Sequence, residues 1–172
     1  DDEAAPGELG EICGYGRLVM EGYHQRPDAT EEATWVDTQG RRWLRTGDIG
    51  RVDDDGFLYI VDRKKDMILS GSQNIYPADI EAVMRDHPAV ADVAVVGVPS
   101  ERWGETPLAL VVAAGAGDTP DTGSLVEWTN QRVGKQQRLA GAVYVADLPR
   151  NPNGKVLKRE LRKQYADWEK AR

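Results

Sequence analysis

The stretch that divides this sequence is residues 62–77, which read Asp-Arg-Lys-Lys-Asp-Met-Ile-Leu-Ser-Gly-Ser-Gln-Asn-Ile-Tyr-Pro. Residues 57–61 before it are aromatic and β-branched, which is typical of a strand. Pro77 at its end suits the first turn of a helix, because that position needs no backbone N–H. The charged residues at its start predict a solvated junction that few contacts cross. We therefore predict a hinge between two packed bodies at this point.

The residues before the junction are predicted to form a short antiparallel, barrel-like sheet. Asp53-Asp54-Asp55-Gly56 predicts a hairpin turn, because Asp-Gly tolerates positive φ. A helix is predicted at residues 27–34, where Pro27 and acidic residues mark a helix start. The predicted strands are residues 9–14, 17–23, 43–45 and 57–61.

The residues after the junction are predicted to form a compact α+β domain with helices packed on a small sheet. Predicted strands are residues 90–98, 107–113 and 142–146, and a helix between the last two is capped by Thr122. Two apolar stripes at helical spacing predict two further helices: Ile80, Val83 and Met84, then Leu157, Leu161, Tyr165 and Trp168. The predicted organisation is residues 1–62, a hinge at 63–66 and a mobile domain at 67–172.

Composition restricts the class of protein. The chain has 172 residues and a formal net charge of −7, which argues against general nucleic-acid binding. No apolar run is long enough to span a bilayer. The single cysteine, Cys13, predicts a reducing, cytoplasmic setting and is expected to be buried filler. Because the chain starts at Asp1, we expect it to be a piece of a longer protein.

Asp48 and Arg63 are the first candidate binding residues. Asp48 follows a Thr-Gly pair at a strand end, and a carboxylate there can accept hydrogen bonds from paired ribose hydroxyls. Arg63 carries a rigid fork of donors that suits ribose or phosphate oxygens. The alternatives are an ordinary turn aspartate and a surface ion pair of Arg63 with Asp62 or Asp66.

Lys155 is the candidate catalytic residue. It follows Asn151-Pro152-Asn153-Gly154, whose proline and glycine favour a fixed loop that presents the amine. Such an amine can stabilise charge that develops on a carboxylate or a phosphate in a transition state. The alternative is one more cation in a basic run at residues 155–163. The sequence shows neither a metal-ligand cluster nor a Gly-rich phosphate loop.

Five motifs in order resemble the adenylate-forming superfamily, and its acyl-CoA synthetase branch in particular. They are Gly7-Glu8-Leu9-Gly10-Glu11-Ile12, Arg45-Thr46-Gly47-Asp48, Asp62-Arg63-Lys64-Lys65-Asp66-Met67-Ile68, Asn74-Ile75-Tyr76-Pro77 and Pro149-Arg150-Asn151-Pro152-Asn153-Gly154-Lys155. The resemblance covers nearly the whole chain. It implies a ligase that converts a carboxylic acid and ATP to acyl-AMP and pyrophosphate, and then transfers the acyl group to CoA with release of AMP.

The resemblance also implies roles for single residues. Asp48 and Arg63 would bind the nucleotide ribose, Lys155 would assist adenylation, and Lys65 would be the hinge. Gly71, Ser72 and Trp103 would contact CoA and its pantetheine arm. The family's large N-terminal region, with its phosphate loop and acyl pocket, is not in this chain, and it would bind most of the ATP and Mg²⁺. We therefore expect the isolated chain to be inactive.

Two alternatives remain open from the sequence. The acyl acceptor could be the pantetheine arm of a carrier protein rather than free CoA, as in adenylation domains. The chain could also be a non-enzymatic interaction module whose basic C-terminal face docks an acidic partner. The acid itself, which in this branch includes substrates of fatty acid metabolism, is not specified by these residues.

Overall fold

The computed structural model describes residues 3–115 and 119–169. The chain divides into two compact units, Asp1–Lys65 and Asp66–Arg172. Each unit carries its own sheet, and helices are concentrated in the second, which confirms the α+β expectation.

The first unit is a four-stranded antiparallel sheet built around one long strand. Its elements are β1 (Gly10–Gly14), α1 (Pro27–Glu32), β2 (Thr34–Val36), β3 (Arg42–Val52) and β4 (Leu58–Arg63). One edge of β3 pairs with β1, and the other edge pairs with β2 near its start and β4 near its end. In the part of the chain described, this sheet is open and does not close into a barrel.

Two strand predictions in the first unit differ from the structure. Residues 17–23 form turns rather than a strand, and Tyr23 N–H donates to the side chain of Thr30 instead of to a neighbouring strand. The strand predicted at residues 43–45 extends to eleven residues because three partner strands share its length. The turn at Asp53–Gly56 is confirmed, with Gly56 at φ 85°.

The second unit is a five-stranded sheet between helices. It contains β5 (Ile68–Ser70), β6 (Gln73–Ile75), α2 (Pro77–Arg85), β7 (Val90–Ser100), β8 (Gly104–Ala113), α3 (Thr122–Asn130), β9 (Gly141–Tyr144) and α4 (Lys158–Gln164). Short 3₁₀ helices lie at Lys64–Asp66 and Lys135–Gln137. The strand order is β6-β5-β8-β7, so β7 is an edge strand, and β9 pairs with β8 in parallel.

Apolar side chains alternate along β7 and pack on both faces of this sheet. Val93 and Val95 lie in a cluster with Ile80 and Met84 of α2. Val96 lies in a second cluster with Leu161 of α4 and five other buried residues. Helices α2 and α4 therefore cover opposite faces of the sheet, and β7 lies between them.

Two helix predictions in the second unit need correction. Helix α3 is capped by Asp121, whose side chain accepts a hydrogen bond from Ser124 N–H, and Thr122 is its first residue. Helix α4 ends at Gln164, so Tyr165 and Trp168 pack on the second cluster from the turns that follow it. Within residues 3–115 and 119–169, no helix has the length and apolar character needed to cross a membrane.

Candidate functional site

Asp48 and Arg63 meet across β3 and β4. The two residues are paired in the antiparallel register, and Arg63 Nε lies 2.6 Å from Asp48 Oδ1. The bend at Gly47, which has φ 72°, places Thr46 Oγ1 to accept a hydrogen bond from Asp48 N–H. Both side chains stay partly exposed, at 42% for Arg63 and 23% for Asp48. One surface of the first unit thus offers a carboxylate acceptor and a guanidinium donor side by side.

The charged junction is only partly solvated. Lys64 and Lys65 are exposed, and Lys64 Nζ lies 2.7 Å from Glu11 Oε2. Asp66 is buried, however, and accepts a hydrogen bond of 3.1 Å from Arg162 of α4. Asp66 therefore belongs to the second unit as a fixed residue, which corrects the expectation of an evenly solvated run. The boundary between the two units falls between Lys65 and Asp66.

Gly71 and Trp103 lie together on the second unit. Gly71 is in the turn between β5 and β6 at φ 61°, and its N–H donates to Trp103 carbonyl oxygen at 2.7 Å. The indole of Trp103 is half exposed, and the guanidinium of Arg102 lies 4.6 Å from the centre of its ring. Leu69 is also half exposed, and Ser72 is exposed in the same turn. This turn forms a small apolar surface with a cation beside it.

Lys155 is presented by a hairpin that spans residues 150–156. Arg150 and Val156 form a β-bridge, and Asn151 N–H donates to Lys155 carbonyl oxygen at 2.9 Å. Asn151 Oδ1 accepts hydrogen bonds from the N–H groups of Asn153 and Lys155. Gly154, at φ 80°, completes the turn. The backbone at Lys155 is therefore fixed while the residue itself is exposed, as the sequence pattern predicts.

Arg150 and Lys158 support this hairpin through contacts that the sequence does not indicate. Arg150 donates to Gly154 carbonyl oxygen and pairs with Asp92 of β7. Lys158, counted in the sequence only as part of a basic run, pairs with buried Glu81 at 2.7 Å. The two ion pairs join residues far apart along the chain, so no local pattern indicates them. Of the features that shape this hairpin, the Asn-Pro-Asn-Gly turn is the one that the sequence indicates.

Cys13 is poorly placed to act as a nucleophile. Cys13 is half-buried on β1 rather than fully buried, and desolvation, with the negative charge of Glu11, raises the pKa of its thiol. A raised pKa disfavours the reactive thiolate.

Across residues 3–115 and 119–169, no group of three or more His, Cys, Asp or Glu side chains is arranged to hold a metal ion.

Comparison with known proteins places these features in a family. Residues 79–155, which end at Lys155, match the AMP-binding enzyme C-terminal domain. The chain is 45% identical over 160 residues to the 2-succinylbenzoate–CoA ligase of Geobacillus kaustophilus. Residues 79–155 thus belong to the AMP-binding enzyme C-terminal domain family. The chain as a whole is similar to the C-terminal portion of the adenylate-forming superfamily.

Two other proteins are similar to nearly the whole chain. The long-chain-fatty-acid–CoA ligase FadD13 of Mycobacterium tuberculosis is 42% identical over 91% of the chain. The crystal structure of ATP-bound MatB from Rhodopseudomonas palustris superimposes with a TM-score of 0.86 at 33% identity over 96% of the chain. The chain spans about a third of these proteins: 31%, 30% and 32% of the Geobacillus, Mycobacterium and Rhodopseudomonas proteins respectively.

Proposed function

We propose that this chain is the C-terminal part of an AMP-forming carboxylic acid–CoA ligase. In the first half-reaction the acid attacks the α-phosphate of ATP, which gives acyl-AMP and pyrophosphate. In the second, the thiol of CoA attacks the acyl carbonyl, and AMP leaves. The observation that carries the proposal is the rigid hairpin that presents Lys155 at the end of the matched family domain.

The role proposed for Lys155 follows from its geometry. Its backbone is held by Asn151, so the ammonium group is attached to a preorganised loop and not to a flexible one. An ammonium group carried by a fixed backbone needs less reorganisation to stabilise negative charge on the attacking carboxylate and the α-phosphate. Lys155 would therefore act in adenylation and contribute nothing to thioester formation.

Asp48 and Arg63 are proposed to bind the ribose of ATP and AMP. The carboxylate can accept hydrogen bonds from the two ribose hydroxyls, and the guanidinium can donate to a ribose or phosphate oxygen. Their present ion pair, at 2.6 Å, keeps both groups aligned on neighbouring strands. Ligand hydroxyls could then join the pair at its exposed side without unpairing either charge.

Gly71, Ser72 and Trp103 are proposed to contact the pantetheine arm of CoA. Gly71 lacks a Cβ at the point nearest the indole, where a Cβ would lie 3.5 Å from Trp103 Cε3. A narrow amide-bearing chain suits a half-exposed ring beside a backbone turn. Lys65, at the unit boundary, is proposed as the hinge that lets the second unit exchange the Lys155 hairpin for this surface between half-reactions.

The decisive experiment uses the intact ligase that contains this chain. Lys155→Ala is expected to lower ATP–pyrophosphate exchange by roughly 10²–10³, with thioester formation from preformed acyl-adenylate unchanged. Lys163→Ala is the matched control, because Lys163 is also an exposed lysine of the same basic run. Equal effects of the two substitutions on exchange, or none from either, would refute the proposal. The 172-residue chain alone is expected to show no exchange.

Two observations bear on the alternatives to a CoA ligase: the acceptor on which AMP release depends, and the pairing of the cations in the basic run. Release of AMP that depends on free CoA supports a CoA ligase, whereas dependence on a carrier protein supports an adenylation domain. A docking face for an acidic partner would draw on the five cations at residues 155–163, and two of them, Lys158 and Arg162, are already paired within the second unit. That pairing reduces the charge available to the non-enzymatic alternative.

A further inference from the structure

A buried carboxylate on α2 lies between the two layers of the second unit. Glu81 is 6% exposed, and its Oε1 accepts a hydrogen bond of 2.7 Å from Val95 N–H. The same oxygen lies 2.7 Å from Nζ of Lys158, whose side chain is only 14% exposed. Its second oxygen faces Arg85 at 3.4 Å, one helical turn away. A buried carboxylate with a buried cation and a backbone donor is fully paired, so it fixes the elements that supply them.

These partners meet at the free edge of β7. Val95 belongs to β7, which among the described residues pairs with β8 alone, so the outward N–H of Val95 would lack a strand partner there. Glu81 reaches this N–H from α2 on one face of the sheet. Lys158 reaches Glu81 from the start of α4, which packs on the other face. The ion pair therefore joins both helical layers around the edge strand.

The position of Lys158 connects this ion pair to the Lys155 hairpin. Lys158 is the first residue of α4, and two residues, Val156 and Leu157, separate it from Lys155. Leu157 N–H donates to Pro149 carbonyl oxygen at 2.7 Å, which closes the base of the hairpin. On the other side of the hairpin, Arg150 pairs with Asp92, also of β7. The hairpin is thus connected to β7 on both sides, directly through Arg150 and, from Lys158, through Glu81. The Lys158 connection is the more buried of the two.

We propose that Glu81 is a positioning residue for adenylation: through Lys158 it fixes the base of the hairpin that carries Lys155. Glu81 touches no substrate in this scheme. Its carboxylate holds the first turn of α4 against β7. Because the hairpin directly precedes α4, this contact also fixes the position of the hairpin. The inference rests on the proposed role of Lys155, and it adds a residue from a different element, α2, to the same half-reaction.

The test compares three variants of the intact ligase. Lys158→Met keeps an unbranched side chain one atom shorter than lysine and removes the charge. It is expected to slow ATP–pyrophosphate exchange roughly 10- to 100-fold, the cost of small misplacements. Glu81→Gln retains an acceptor for Val95 N–H, so we expect a smaller loss. Arg85→Ala removes the exposed partner of Glu81 and is expected to change nothing. Thioester formation from preformed acyl-adenylate should stay at the wild-type rate in all three.

A double variant and amide exchange complete the test. Glu81→Gln with Lys158→Met should be no slower than Lys158→Met alone, because both remove one interaction. In the 172-residue chain, Lys158→Met should speed hydrogen exchange of the Lys155 amide about tenfold, whereas Arg85→Ala should not. If Lys158→Met fails to fold, Glu81→Gln supplies the same comparisons.

The outcomes separate this inference from the proposed function. Equal loss in both half-reactions, or rates that match Arg85→Ala, would overturn the positioning role. Additive effects in the double variant would also overturn it. If Lys155→Ala leaves the rate of ATP–pyrophosphate exchange unchanged, the proposed function fails. Hydrogen exchange of the Lys155 amide would then decide by itself whether Glu81 and Lys158 fix the hairpin.

Discussion

Gly154→Ala tests whether the backbone of the hairpin, and not only the lysine, is needed. Gly154 has φ 80°, a left-handed conformation, and a Cβ built there meets nothing within 4 Å. The cost of alanine is therefore purely conformational, about 1–2 kcal/mol. This cost is concentrated in the hairpin, because Gly154 N–H and Lys155 N–H both bond to Asn151. We expect the closed hairpin to be disfavoured five- to thirtyfold relative to its open forms.

Native-state hydrogen exchange of the 172-residue chain measures this change directly. The amide of Lys155 should exchange five- to thirtyfold faster in Gly154→Ala than in the wild type. Gly56→Ala is a matched control, because Gly56 has φ 85° and equally open space in a turn of the first unit. It should speed exchange at Phe57, whose N–H bonds to Asp53, and leave Lys155 unchanged. Gly154→Asn should be near wild type, since asparagine tolerates this conformation.

The functional consequence is measured in the intact ligase. If the closed hairpin is the form that adenylates, ATP–pyrophosphate exchange should fall in Gly154→Ala and stay normal in Gly154→Asn and Gly56→Ala. Fast amide exchange at Lys155 with an unaltered adenylation rate would show that the hairpin need not be preorganised. An Asn variant as impaired as the Ala variant would refute the conformational argument itself.

Three further predictions address other parts of the chain. A Cβ at Gly141 would lie 2.4 Å from two ring atoms of Trp168, so Gly141→Ala should destabilise the chain by about 1–3 kcal/mol in urea unfolding, and Trp168→Leu should relieve it. Desolvation raises the pKa of Asp37, but hydrogen bonds from Trp43 and Arg41 outweigh it and hold the pKa well below its usual value. Its stabilising effect is therefore complete above about pH 5 and lost on acidification, and Asp37→Asn should flatten the acid branch of the melting profile. Lys65→Pro fixes φ near −65°, and should slow one half-reaction at least about tenfold more than the other if Lys65 is the hinge.

Local signals in the sequence predicted most elements of the second unit. The β-branched run at residues 90–98 became β7, and the stripe of Ile80, Val83 and Met84 became α2. These predictions succeed because both elements bury one regular set of apolar side chains. The strand predicted at residues 17–23 is wrong for the opposite reason: its apolar residues include Leu18, which is fully exposed. An apolar residue in a short, glycine-flanked segment did not indicate burial.

The sequence indicates candidate site residues but not the contacts that support them. The Thr-Gly-Asp and Asn-Pro-Asn-Gly-Lys patterns indicate Asp48 and Lys155 as candidates, because turn residues determine the local backbone. The pair of Arg63 with Asp48 depends on the register between β3 and β4, which shifts at a bulge beside Ile49. The pair of Lys158 with Glu81 depends on how two helices pack around an edge strand. Neither geometry has a signature in a single stretch of sequence.

The basic run at the C-terminus shows why residue type alone misassigns these cations. Lys158 and Arg162 are one helical turn apart, so they share a face of α4, and that face adjoins buried Leu161. Both turn toward carboxylates of the second unit, Glu81 and Asp66. Asp66 follows the proposed hinge and Lys158 follows the proposed catalytic hairpin. Helix α4 therefore ties the residue next to the hinge and the base of the hairpin into one rigid body, so a rotation at Lys65 would carry Lys155 with it.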